Sequence, residues 1–82
     1  MSPRKAWERV QRGNLDLAFA DLIRLAEAFG FQLDRIRGSH HILMHSELPL
    51  MLNFQRDGRR AKRYQVRQLL AVVQEHGLKI ND

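Results

Sequence analysis

Cysteine is absent from the 82 residues of this chain. Its absence excludes a disulfide framework, a catalytic thiolate and a cysteine-based metal site. No apolar run approaches the roughly 18 residues that a membrane-spanning helix requires, and the first residues lack the apolar segment of a secretory signal. We therefore expect a cytoplasmic protein that makes no contact with a membrane and is stabilised by its hydrophobic core.

The chain also lacks low-complexity segments and internal repeats. A chain of this length buries roughly 60% of its unfolded surface, which allows one modest core. These limits predict one small domain and leave no room for a second.

Anionic residues are few compared with cationic ones, 9 against 14, which gives a formal net charge of +5. The window from Arg56 to Arg67 alone carries this charge, with one anion, Asp57, and six cations: Arg56, Arg59, Arg60, Lys62, Arg63 and Arg67. Such a cluster repels itself unless it meets a polyanion, and RNA is the first candidate. The alternative is an ordinary solvated surface.

Hydrophobic periodicity predicts an α+β fold with the element order α-α-β-β-β-α. The expected helices cover residues 5–12 and 64–75 and the apolar stripe from Leu22 to Phe29, which Phe19 could staple at its start and Gly30 stops. The expected strands cover residues 31–37, 40–45 and 50–55. Short connections favour a three-stranded antiparallel meander with the helices on one face, leaving the other face free. Strict alternation along the first strand would put Phe31, Leu33, Arg35 and Arg37 on one side.

Two adjacent imidazoles follow a glycine-serine turn in Gly38-Ser39-His40-His41-Ile42. Imidazole exchanges protons near neutral pH and accelerates a proton transfer by about 10²–10⁴-fold when it is well placed. RNA supplies its own nucleophile, the 2′-hydroxyl, so His40 or His41 could drive strand cleavage, with Arg35 and Arg37 stabilising the developing charge. In the alternative interpretation, one histidine is a half-buried strand residue and the other a surface residue.

A metal site is a weaker interpretation of the same histidines. His40, His41 and His45 lie within six residues, but His40 and His41 point to opposite faces of a strand. Only His41 and His45 share a side, whereas zinc requires three or four converging ligands. We therefore expect neither a metal nor another cofactor.

Three segments together resemble the HicA family of type II toxins. They are the histidine turn after a helix that ends in Phe29-Gly30-Phe31, the strand Leu52-Asn53-Phe54-Gln55, and the stretch from Ala61 to Gln68 that leads into the last helix. The resemblance covers about residues 19–78. It implies a single domain over residues 1–82, with its core at 19–78 and a helical extension at 1–17 that is similar to one branch of the family.

The resemblance implies a fold similar to double-stranded-RNA-binding domains and the cleavage of messenger RNA, blocked by a HicB-type antitoxin. The catalytic histidine of many members directly follows the glycine-serine pair, which corresponds to His40, and that of some members lies one position later, at His41. Many members carry Pro-x-His in the third strand, where this chain has Leu52-Asn53-Phe54-Gln55. The expected RNA-binding residues are Arg35, Arg37, Arg56, Arg59, Arg60, Lys62, Arg63 and Arg67.

Three hypotheses follow from these observations. The first is a metal-independent endoribonuclease that acts as a toxin on messenger RNA. The second is an RNA-binding module that holds RNA without cutting it. Its binding of RNA would survive replacement of His40 and His41 by alanine. The third is a protein-interaction domain whose basic face binds an acidic partner.

Overall fold

The computed structural model describes residues 1–81 as an α+β fold, which confirms the predicted class. The helices are α1 (Pro3–Gln11), α2 (Phe19–Ala28) and α3 (Arg63–His76). The strands are β1 (Phe31–Arg37), β2 (His40–His45), β3 (Met51–Asp57) and β4 (Arg60–Ala61). The sheet is antiparallel with the order β1-β2-β3-β4, so the predicted three-stranded sheet is wrong by one strand.

The additional strand β4 has only two residues and lies in the cationic window. It pairs with the end of β3 across the turn at Gly58, through Arg56 with Ala61 and Asp57 with Arg60. Two residues are too few to show a period of two, so no alternation could reveal this strand. The segment before α2 covers the outer side of β4, because the Ala61 N–H donates to the Leu17 carbonyl at 2.9 Å.

The helices predicted at residues 5–12 and 64–75 form within two residues of their expected bounds at each end, and α2 contains the predicted stripe from Leu22 but ends at Ala28, one residue before Phe29. Ser2 caps α1, since its hydroxyl accepts from the Lys5 N–H at 3.2 Å. Gly77 ends α3 in the left-handed conformation that favours glycine. Within residues 1–81, no helix is long and apolar enough to cross a membrane.

The core lies between the helices and one face of the sheet. Leu43 of β2 and Leu52 and Phe54 of β3 are fully buried on that face. They pack with apolar side chains from all three helices, among them Ala6, Val10, Leu22, Leu25, Val66 and Leu69. Met44 and Met51, on the opposite face, remain exposed. We call this second, uncovered side of the sheet the open face.

A bulge in β1 changes which arginines reach the open face. Leu33 pairs with Leu43 and Arg35 with Ile42, so Asp34 has no residue opposite it. Directly opposed residues share a face, which places Arg35 on the open face and Leu33 on the helix-covered one. The expectation of strict alternation along β1 is therefore wrong beyond Leu33.

His45 has a structural role at the far end of β2. Its Nε2 donates to the Phe29 carbonyl at 3.1 Å, and its Nδ1 accepts from the backbone N–H groups of Glu47 and Leu48, each at 3.1 Å. Gly30 leaves room for this ring, because a Cβ there would lie 2.7 Å from Nε2. One imidazole thus joins the end of α2, the start of β1 and the β2–β3 turn.

Candidate active site

The open face carries a polar cluster near the β1–β2 turn. Strand pairing places Arg37, His40 and Gln55 side by side in one row across the sheet. Asn53 lies in the next row, opposite Ile42. The sheet thus brings a titratable ring, a guanidinium and two amides together on its exposed side.

Asn53 fixes the orientation of the His40 ring. Its Oδ1 lies 3.1 Å from His40 Nδ1. An amide oxygen only accepts hydrogen bonds, so Nδ1 carries the proton in this contact. His40 Nε2 is then the ring nitrogen left to take a proton from a ligand, or to return one.

A chain of hydrogen bonds holds the turn in front of His40. Gln55 Nε2 donates to Ser39 Oγ at 2.7 Å, and Lys62 Nζ donates to Gln55 Oε1 at 3.4 Å. Lys62 is the residue before α3. The ammonium group of Lys62 therefore lies beside the same strand end as His40.

Gln65 of α3 bonds to β3 along the same edge as β4, at the residues that β4 does not reach. Its Oε1 accepts from the Gln55 N–H at 3.0 Å, and its Nε2 donates to the Asn53 carbonyl at 3.3 Å. Its side chain is 4% exposed. The side-chain amide continues the β-ladder where β4 ends, because it offers one donor and one acceptor as a peptide does.

His41 does not join this cluster, because it lies on the other side of the strand. Its Nδ1 donates to the Ser39 carbonyl at 3.3 Å, and its ring meets Phe19 edge-on, with centroids 4.8 Å apart. Phe19 is the first residue of α2. His40 and His41, the two candidate catalytic histidines, therefore lie on opposite sides of β2. One phosphate cannot contact both sides of the strand.

The cations of the basic window also separate into groups. Arg56 lies over the Phe19 ring, with its guanidinium carbon 5.0 Å from the centroid, and Arg59 lines the adjoining surface. Lys62 reaches Gln55, on the side of His40. Arg63 and Arg67 are exposed on α3.

Two arginines of the expected RNA-binding set are engaged in ion pairs. Arg60 donates to the Asp16 carboxylate, and this hydrogen bond and charge lower the pKa of Asp16 below its ordinary value. Arg35 pairs in the same way with Asp34 at the bulge. Arg37 remains on the open face in the same row as His40.

The histidines do not converge with other metal-binding side chains. Within residues 1–81, no three side chains of the His, Cys, Asp or Glu type form a group that could hold a metal ion. His41 and His45 share a face but are separated by about 13 Å of strand. His45 already uses both ring nitrogens in backbone contacts.

Sequence reasoning identified part of this cluster and missed the rest. His40, Arg37 and Lys62 were among the residues expected from the sequence. Gln65 was missed, although its position carries a signal. It lies one turn before Leu69 and two turns before Val73 on the buried stripe of α3, where a polar residue requires hydrogen-bond partners.

Comparison with known proteins identifies a family. The family model described as the HicA toxin of bacterial toxin–antitoxin systems matches residues 19–75. This range contains α2, the whole sheet and nearly all of α3, and it includes His40 and the residues that contact it. No curated protein and no solved structure gives a significant match.

Proposed function

Because this chain belongs to the HicA toxin family of bacterial toxin–antitoxin systems, we propose that it is a metal-independent endoribonuclease that cuts messenger RNA. Membership of the family implies an antitoxin partner, and we propose that this partner is of the HicB type. The observation that carries the proposed activity is the His40–Asn53 contact on the open face, with Arg37 in the same row.

The proposed reaction uses the substrate's own nucleophile. His40 Nε2 takes the proton of a 2′-hydroxyl, whose oxygen then attacks the adjacent phosphorus. The bond to the 5′-oxygen breaks, that oxygen takes a proton from water, and the proton on His40 neutralises the hydroxide that is left. The products are a 2′,3′-cyclic phosphate and a 5′-hydroxyl end.

Two cations near His40 are suited to the charge that develops on the phosphorane. Arg37 lies beside His40 across the strand pair, and Lys62 reaches the same region through Gln55. Fixed cations near developing negative charge lower the barrier of such reactions. We propose that the other cations contact the RNA backbone: Arg35, Arg56, Arg59, Arg60, Arg63 and Arg67.

The proposal is tested by cleavage of a long single-stranded RNA in excess EDTA. We expect the wild-type protein to cut and His40→Ala to lose about 10²–10⁴-fold in rate, while His41→Ala retains the chemical step. Loss of cleavage on adding the chelator would contradict a metal-free mechanism. Binding without any cleavage would favour the RNA-binding module instead.

Asn53 is proposed as a positioning residue for His40. Because Asn53 is exposed, Asn53→Ala should leave folding unchanged, lower kcat and leave KM unchanged. ¹⁵N NMR of the neutral ring should show the proton on Nδ1 of His40 in the wild type. In Asn53→Ala it should show a mixture of two tautomers, one with the proton on Nδ1 and one with the proton on Nε2. Gln32→Ala, a second exposed amide in the open-face row of Met44, is the control. An unchanged tautomer in Asn53→Ala would contradict this role.

We also infer that residues 1–82 act as one domain in the cytoplasm, with its core at 19–78 and a helical extension at 1–17. The packing of α1 supports this inference, because Ala6 and Val10 belong to the same buried cluster as α2 and the sheet. The relation to double-stranded-RNA-binding domains remains a prediction from the resemblance.

A further inference from the structure

A cleft on the helix-covered side of the sheet lies next to the site of His40. It is about 290 Å³ in volume and lies between α2 and the ends of β2 and β3. Its lining residues are Phe19, Ala20, Ile23, Arg24, Glu27, His41 and Arg56. The proposed reaction makes no use of this cleft, although it contains the second histidine of the pair.

The chemistry of the cleft suits a flat aromatic group. Phe19 is only 3% exposed, since the His41 ring packs against it edge-to-face and the Arg56 guanidinium lies over its ring. The half-buried His41 ring and the exposed Arg56 guanidinium are therefore the flat groups that the cleft offers to a ligand. Rings and guanidinium planes of this kind stack on nucleobases, whatever the base, because every base has a π-face. Ile23 adds an apolar side to the cleft.

The lining of the cleft favours a base over a phosphate as the occupant. Phe19, Ala20 and Ile23 make it more apolar than polar, and Glu27 offsets one of its two cations, Arg24 and Arg56. A neighbouring cavity of about 250 Å³ shares Phe19, Ala20 and Arg56 with the cleft and extends to Arg59. Its two arginines suit the phosphates on either side of a bound base.

The cleft and His40 can be reached by a single RNA strand. His40 pairs with Gln55, and Asp57 pairs with Arg60, so the β1–β2 and β3–β4 turns lie at the same end of the sheet. An RNA strand that passes around this end of the sheet runs from Arg37 on the open face to Arg56 on the helix-covered face. His40 and His41 are adjacent residues at this end.

We propose that the cleft binds one nucleobase of the RNA, close to the phosphate that is cut at His40. His41 then contacts a base and takes no part in the proton transfer. This inference rests on the proposed nuclease function, whose substrate contacts it extends.

Filling the cleft tests the proposal through kinetics. Ala20 is exposed on α2, so Ala20→Leu fills the cleft without disturbing the core. Ala71→Leu makes the same change at an exposed position on α3 outside the cleft. Stacking on one base accounts for about 5- to 150-fold in binding, so we expect Ala20→Leu to raise KM within this range while kcat stays constant. Equal KM values for the two variants would overturn the proposal.

A binding experiment separates the failure of this proposal from that of the nuclease function. A short DNA oligonucleotide lacks the 2′-hydroxyl and stays intact, so NMR can follow the histidine rings of the wild-type protein as it binds. We expect the ordinary strand to shift both His40 and His41, and a fully abasic strand to shift His40 alone. Equal shifts of His41 with both strands would overturn the base-binding proposal. Base-dependent shifts of His41 in a protein that never cuts RNA would instead overturn the nuclease function and leave the cleft as a base-binding site.

Discussion

The side-chain oxygen of Gln65 accepts a hydrogen bond from the backbone N–H of Gln55 at 3.0 Å. Gln65 belongs to α3 and Gln55 to β3. This contact fixes the helix to the strand that carries Asn53, the residue that orients His40. The stability of the fold and the geometry of the candidate active site therefore depend on the same buried amide.

Replacement of Gln65 by leucine should destabilise the protein markedly. The change leaves the Gln55 N–H and the Asn53 carbonyl without their partner, and an unpaired buried polar group costs about 1–3 kcal/mol. Urea unfolding should give a free energy of unfolding at least about 1 kcal/mol lower for Gln65→Leu than for the wild type. Gln68→Leu, at an exposed position on the same helix, should show little change. Equal stability of the two variants would contradict the role of Gln65.

Replacement of Gly30 by alanine should cost more than the same change at Gly13. Both glycines have positive φ angles, +98° and +89°, so both substitutions strain the backbone. Only at Gly30 would the new Cβ meet His45, at 2.7 Å, because nothing lies within 4 Å at Gly13. The displaced ring would lose its bonds to Phe29 and the β2–β3 turn, at a cost of about 1–3 kcal/mol beyond the backbone strain.

Thermal unfolding of the two glycine variants measures this difference directly. Gly13→Ala measures the destabilisation caused by the left-handed backbone alone, because a Cβ at Gly13 meets no other group. If both variants melted at the same temperature, His45 would not be the structural link described above.

The ion pair between Arg60 and Asp16 predicts a pH dependence of stability. Arg60 lowers the folded-state pKa of Asp16, so its contribution is complete above the ordinary pKa of an aspartate. It is lost as the pH falls through the lowered value. The stability difference between the wild type and Arg60→Gln should therefore shrink in acid, and carboxyl NMR should show Asp16 titrating at higher pH in the variant.

Arg63→Gln is the matched control for that titration. Arg63 acts on Asp16 only through its charge and more weakly than Arg60, so its removal should move the Asp16 titration less. An Asp16 midpoint that Arg60→Gln leaves unchanged would show that the pair does not persist in solution.

The cations of the basic window should contribute unequally to RNA binding. Each phosphate neutralised on a single strand adds about −0.7 to the slope of log K against log salt. Lys62→Gln should flatten the slope by about this amount. Arg60→Gln should flatten it less, since the charge of Arg60 is already paired with Asp16. The His40→Ala background keeps the RNA intact during the titration, and equal slopes for the two variants would contradict this division.

Alternation along β2 was enough to predict its two faces. His41, Leu43 and His45 lie on one side and His40 and Met44 on the other, because each side chain sits in a regular ladder. In β1 the pattern failed at Asp34, since a bulge depends on how Leu33 and Arg35 pair with β2. A bulge inserts one unpaired residue into a strand, and the period of that strand alone does not show where it lies.

The role of each histidine was only partly predictable for a similar reason. The sequence places His40 and His41 on opposite sides of a strand, but their partners Asn53 and Phe19 are 13 and 22 positions away. Nothing in the sequence distinguishes the role of His45 from that of His40 or His41. Its role depends on hydrogen bonds to Phe29 and Glu47, which only the fold brings close to it. The charge of the basic window was visible in the sequence, whereas the pairing of Arg60 with Asp16 required the fold to bring β4 beside residue 16.

The central claim is that His40 activates the 2′-hydroxyl of the RNA, and the ends of the cleaved strands test it most directly. RNA cut by the wild-type protein in excess EDTA should carry 2′,3′-cyclic phosphate and 5′-hydroxyl ends, and a strand with 2′-methoxy groups throughout should stay intact. Ends with a 3′-hydroxyl and a 5′-phosphate, or cleavage of the 2′-methoxy strand, would contradict the mechanism.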